Sequence, residues 1–212
     1  DIVTTTTHKT LRGPRGGLIL SMGKVGNPFK EPEMTKENIP TILDRSVFPG
    51  LQGGPHMNTI AAIAVALKEA QEPEFKEYAR QIIKNAKILA QKLMDLNIKL
   101  ITDGTDNHMM VADTIKSVGI DGATAEKTLE KAGITVNKQV IPDDPQPAYK
   151  PSGIRIGTPA LTTRGMKEAE MEIIGGWIND ALVNWQDEAK LNAIKQNVIE
   201  MTKKFPLYPE LV

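Results

Sequence analysis

The sequence predicts a layered protein of mixed helix and strand, α/β or α+β. Two observations carry that reading. Short runs rich in β-branched or apolar residues, such as 2–7 and 154–157, alternate with longer segments whose apolar residues recur at helical spacing. Glycine and proline punctuate the junctions, and Gly133 follows one helical segment where a left-handed cap belongs.

Taken in order, residues 2–7 are predicted as a strand by β-branching, and 17–21 (GLILS) as a second, buried one. Gly13, Pro14, Gly16 and Gly17 shape the loop between them. Residues 23–44 are polar and rich in Pro and Lys, a surface excursion, with 37–47 partly helical. FPGLQGGPH (48–56) leads into a helix with Pro55 in its first turn. Pro73 interrupts the pattern and a second amphipathic helix follows. Its stripe is Tyr78, Ile82, Ala86, Leu89, Leu93 and Leu96. The domain boundary is placed there, giving residues 1–72 and 73–212.

Further on, the reading is a strand at 98–102, the turn DGTDN, a strand at 109–112, a helix at 123–132 and a strand at 134–136. The proline-rich loop IPDDPQPAYKPSG (141–153) precedes a strand at 154–157. Two helices close the chain, at about 164–185 and 187–204. The second carries Leu191, Ile194, Val198 and Met201 on one stripe. Trp177 is expected in the core and Trp185 partly exposed, and KEAEMEI (167–173) reads as a solvated helix face.

The totals narrow the function classes. In 212 residues, 26 Lys and Arg balance 26 Asp and Glu, so no basic surplus points to nucleic acid. Cysteine is absent, which removes disulfides, zinc–thiolate sites and a thiol nucleophile. With no H-x-x-x-H pair either, no metal site is expected. The apolar run TIAAIAVAL (59–67) is too short to span a bilayer, and cytoplasm is the expected location. The chain starts inside a predicted strand and without Met, so a preceding portion is expected.

Three features can carry chemistry. Lys9 ends the run TTTTHK beside His8, with Arg12 and Arg15 following. Burial or neighbouring cations turn such an amine into a nucleophile. Along an ideal strand Thr5, Thr7 and Lys9 share one face, and Thr6 and His8 the other. His8 and Lys9 can then enter one pocket only if the strand ends or bends there. A hairpin with a solvated basic tip explains the same residues. Gly50, Gly53 and Gly54 precede a helix and would let backbone N–H groups approach a phosphate, or they make a plain turn. Arg155 sits among Ile154, Ile156 and Gly157 on a strand expected to be half-buried. A desolvated guanidinium there needs an anion, either an internal carboxylate or that of a ligand.

Together, TTTTHKTLRGPRGG, VFPGLQGGPHMN, EPEFKEYA, GTDNH, ITVNK and SGIRIGTPALTTRG closely resemble serine hydroxymethyltransferase, in that family's order and over essentially the whole chain. The resemblance implies the pyridoxal-phosphate-dependent, aspartate-aminotransferase-like fold (fold type I). Residues 1–72 would end its large domain and 73–212 form the small C-terminal α+β domain. It implies a one-carbon transferase that interconverts serine and glycine with tetrahydrofolate as acceptor, in a homodimer or dimer of dimers. By the same resemblance Lys9 is the Schiff-base lysine, with His8 and Thr6 flanking the reacting centre. Arg15, Gly53 and Gly54 lie at the cofactor, the two glycines reaching it from a neighbouring subunit. Arg155 holds the amino-acid carboxylate, and Pro147, Ala148 and Tyr149 face folate.

Two departures stand out. Gln139 follows the VNK lysine where the family often has Asn, and the loop DDPQPAYKPSG differs from common forms. The resemblance covers roughly half a family member, and a partner for the pyridine nitrogen and a general-base glutamate are expected upstream. The 212 residues alone are therefore expected not to turn over serine. A non-catalytic assembly module of this fold, or an aldolase of the same fold, is the competing expectation.

Overall fold

A computed structural model of the chain describes residues 2–22 and 39–208. Most of the predicted excursion at 23–44 lies outside the described residues. The chain divides into two compact units, Asp1–Lys76 and Glu77–Val212.

The first unit holds a hairpin of β1 (Ile2–Thr6) and β2 (Gly17–Ser21), antiparallel with Thr6 opposite Gly17. β1 ends one residue sooner than predicted, and β2 is largely exposed rather than buried. The helix α1 (Ile39–Arg45) runs into a tight coil, Ser46–Leu51, that contains a cis Phe48–Pro49 bond. The helix α2 (Met57–Glu69) starts after His56, so Pro55 lies outside its first turn. The packing of α2 fixes the loop after β1. A Cβ on Gly13 would stand 2.9 Å from the Thr7 carbonyl oxygen and 3.0 Å from Ala66 Cβ. One on Gly16 would stand 2.9 Å from Ile63 Cδ1. Only glycine permits so close an approach.

The helix α3 (Pro73–Asp95) begins at the proline that breaks the preceding pattern, and the division between units falls in its first turn. Ile82, Ala86, Leu89 and Leu93 of its stripe are buried. The second unit is built on an antiparallel sheet of β3 (Lys99–Leu100), β4 (Met109–Asp113), β5 (Asn137–Gln139) and β6 (Gly153–Gly157), in the order β3-β4-β6-β5. Its remaining helices are α4 (Thr114–Val118), α5 (Gly122–Lys131), α6 (Pro159–Thr163), α7 (Glu168–Val183) and α8 (Glu188–Lys204). Side chains alternate across the sheet. Met110, Ala112, Ile154 and Ile156 enter one core with Leu89 and Leu93 of α3, Leu129 of α5, Ile178 and Leu182 of α7 and Leu191 of α8.

Several predicted elements are corrected here. The strand expected at 134–136 forms three residues later, because Ile134 and Val136 pack on the core from the connection instead of pairing. The helix expected at 164–185 is α7 alone, starting four residues later at Glu168. α6 is a separate helix that ends at Thr163, and Gly165, with a φ of 90°, lies in the turn between them. Within KEAEMEI, Met171 is fully buried, so that run is only partly a solvated face. Trp177 packs half-buried against the core, and Trp185 is 37% exposed. Asp113, Asp121 and Asp187 cap α4, α5 and α8, each accepting a backbone amide of the first turn.

A buried polar cluster ties α3 to α6. Asn85, fully buried, donates to Thr162 Oγ1 and to the Met166 carbonyl, each at 3.0 Å, and accepts from Gln81 at 2.8 Å. Thr158 donates to the Ile82 carbonyl at 2.9 Å. These bonds hold α6 directly behind β6.

Candidate functional site

The lysine turn is built from Thr7. Its amide donates to Gly16 O at 3.1 Å, its carbonyl accepts from Gly13 N at 2.8 Å, and its buried hydroxyl donates to Pro14 O at 2.7 Å. The turn therefore closes on itself, and Arg12 adopts a left-handed φ of 57°. Arg12 also lies over the Phe75 ring, 5.6 Å from its centroid. Because β1 ends at Thr6, strand alternation stops before His8 and Lys9, which meets the condition for both to serve one site.

Lys9 is exposed and, among the described residues, its amine has no hydrogen-bond or ion-pair partner. His8 is half-buried, and its Nδ1 is fully covered with no partner among the described residues. Thr6 is half-buried at the strand end, and Arg15 is exposed. Gly53 and Gly54 are exposed, and a Cβ on either would meet nothing within 4 Å. They lead to α2, whose N-terminus has no side-chain cap. The unpartnered Lys9 amine can condense with an aldehyde, and, separately, the open glycine turn before uncapped helix amides can admit a phosphate.

In the second unit, Arg155 departs from the expectation that burial obliges it to find an anion. It lies on the exposed face of β6, between buried Ile154 and Ile156. Its Nε donates to Asn137 Oδ1 at 3.0 Å, across the β5–β6 pair, and no carboxylate pairs with it among the described residues. The terminal nitrogens of the fork remain open for a carboxylate.

Pro147, Ala148 and Tyr149 lie at the tip of the 141–152 loop, with Tyr149 70% exposed. Lys150 N donates to Pro147 O at 2.8 Å, and Lys138 Nζ to Tyr149 O at 3.3 Å. At the loop base, Asp144 Oδ2 accepts from Ile141 N at 3.2 Å and Ser152 N at 2.9 Å. Its Oδ1 accepts from Gln146 N at 2.9 Å and Ser152 Oγ at 2.6 Å. Partial desolvation would raise the Asp144 pKa, but the Ser152 hydroxyl and the amides of Ser152, Gln146 and Ile141 overcome it and lower the value to about 2.

Sequence reasoning missed Asn137 because the strand bearing it was placed three residues early. Asp144 carried a readable signal, an Asp just before Pro145 in a turn-rich run.

The chain is a mixed α/β protein with an exposed, unpartnered amine in its first unit and an exposed sheet-borne guanidinium in its second. A family model for serine hydroxymethyltransferase matches residues 1–178. Curated relatives include the serine hydroxymethyltransferase of Koribacter versatilis (strain Ellin345), 51% identical over 209 residues, covering 99% of this chain and 46% of the relative. That of Myxococcus xanthus (strain DK1622) is 51% identical over 208 residues, covering 98% and 46%. The chain belongs to the serine hydroxymethyltransferase family. It spans about half the length of the curated relatives it matches. The family implies fold type I of the pyridoxal-phosphate enzymes, and the mixed α/β architecture is consistent with it. Among the described residues no helix is long and apolar enough to cross a membrane.

Proposed function

We propose that this chain serves a pyridoxal-phosphate-dependent glycine hydroxymethyltransferase, which interconverts serine and glycine with tetrahydrofolate as one-carbon acceptor. The observation that carries the reading is an amine without a partner at the end of TTTTHK, in a chain 51% identical to serine hydroxymethyltransferases. Residues 1–72 would contribute the end of the large domain, and 73–212 the small domain. A homodimer or dimer of dimers in the cytoplasm completes the proposal.

Lys9 and Arg15, with Gly53 and Gly54 of a neighbouring subunit, would hold pyridoxal phosphate, which when bound supplies the electron sink for bond breaking at the amino-acid α-carbon. Lys9 Nζ provides the amine. His8, with its covered Nδ1, and Thr6 would flank the reacting centre and help to set substrate handling. Arg155 takes the substrate carboxylate in its two-pronged fork, and Asn137 fixes the plane of that fork through Nε. Pro147, Ala148 and Tyr149 face the folate.

Incubation with pyridoxal phosphate, borohydride reduction and peptide mapping tests the reading. Lys9 carries the reduced adduct if it is right. A folded protein with no adduct at Lys9 overturns it. In the holoenzyme carrying this chain, glycine formation from serine should require tetrahydrofolate, and folate-independent cleavage alone would identify an aldolase instead.

A further inference from the structure

The 141–152 loop has an unusual shortage of backbone donors. Pro142, Pro145, Pro147 and Pro151 have no N–H, so four of its twelve residues cannot donate a main-chain hydrogen bond, although the Pro147 and Pro151 carbonyls accept from Lys150 N and Gly122 N. Asp143 adopts a left-handed φ of 54°, and residues 145–150 are all exposed. One carboxylate, that of Asp144, supplies the closure by accepting four hydrogen bonds from residues at both ends of the loop and within it. Ser152, 2% exposed, is the fixed end: its carbonyl accepts from Thr114 N at 2.9 Å and Thr114 Oγ1 at 3.0 Å.

We propose that Asp144 is a positioning residue for the one-carbon acceptor: it closes the 141–152 loop on Ser152 and so presents Pro147, Ala148 and Tyr149 already formed. The proposal rests on the reading that those three residues face folate. Its logic is preorganisation. A loop rich in proline has little entropy left to lose, and a single hub that removes the remainder spares that cost on binding. Thr114 holds the Ser152 carbonyl independently, so β6 and Arg155 keep their anchor when Asp144 is changed. The effect is therefore confined to one of the two substrates.

Asp144→Asn keeps the size but turns one acceptor oxygen into a donor that faces other donors. In the holoenzyme carrying this chain, KM for tetrahydrofolate should rise about tenfold while KM for serine moves less than about twofold. Hydrogen exchange at Gln146 and Lys150 should accelerate in the same variant. Ser152→Ala removes one of the four bonds and should shift both readouts the same way by less. An unchanged tetrahydrofolate KM in a folded Asp144→Asn protein overturns the proposal, as does an equal rise for serine. If the unaltered holoenzyme shows no folate dependence, the functional reading has failed. The exchange measurement then still decides whether Asp144 holds the loop, and unchanged exchange overturns that too.

Discussion

Thr7 and Glu168 show how single side chains hold each unit in shape. Thr7 is 1% exposed, and its hydroxyl closes the lysine turn on Pro14. Thr7→Val keeps the volume but removes that bond and leaves the part-buried Pro14 carbonyl without its Thr7 donor. The expected loss is about 1–2 kcal/mol in denaturant unfolding, with weaker cofactor trapping at Lys9. Glu168 is paired with Lys84 and accepts from Gln81 Nε2 at 3.1 Å. The Lys84 ammonium, then Glu168's own backbone amide, hold its pKa down from 4.5 to about 2 against the opposing effect of burial. A carboxyl with a depressed folded pKa stabilises the fold fully above its unfolded value and loses that contribution as pH falls. Glu168→Gln should therefore unfold more readily than the parent at pH 7. The difference between the two should shrink between about pH 4.5 and 2, as thermal melts across that range would record.

At the scale of elements, contact between backbones decides what is tolerated. Gly122 opens α5 directly over β6, where an added Cβ would lie 2.0 Å from the Gly153 carbonyl oxygen. Gly122→Ala must push the helix off the strand, and about 1–3 kcal/mol of lost stability is expected, measured by chemical unfolding. Asn85→Ala unties α3 from α6 and strands buried partners, for about 2–4 kcal/mol on the same measurement. How much of this was legible in the sequence follows from range. The α3 stripe was readable because one helix face repeats every turn and meets a single core. Gly133 was readable as a cap because its left-handed φ, here 77°, is a local requirement. The start of β5 was not, since Ile134 and Val136 are as apolar as strand residues and only the register with β6 shows which residues pair. The five residues of α4 were missed for a related reason: Thr114 and Val118 favour strands, and the helix depends on the Asp113 cap and Ser152. In the site, Lys9 and its glycines were visible as a local motif. The exposure of Arg155 and its bond to Asn137 depend on pairing between distant segments.

For the whole molecule, the distribution of apolar burial matters most. The principal core cluster lies within the second unit, from Ala86 onward, whereas Ile2, Val3, Leu20, Phe48, Leu51 and Met57 of the first unit remain exposed. A protein comprising residues 73–208 should fold alone with a cooperative thermal transition, followed by circular dichroism. Leu129→Ala, at a fully buried site, should destabilise it by about 2–5 kcal/mol. The first unit expressed alone should melt without cooperativity.

Strand β6 has a consequence for ligand recognition. Ile154, Arg155 and Ile156 are consecutive, and the two isoleucines are sunk among helices while the cation between them faces outward. The guanidinium is thus mounted on a rail whose bolts are hidden from solvent. Trimming a methyl group at Ile154 touches no ligand atom, yet it should loosen the proposed hold of Arg155 on a substrate carboxylate as surely as a change at the surface.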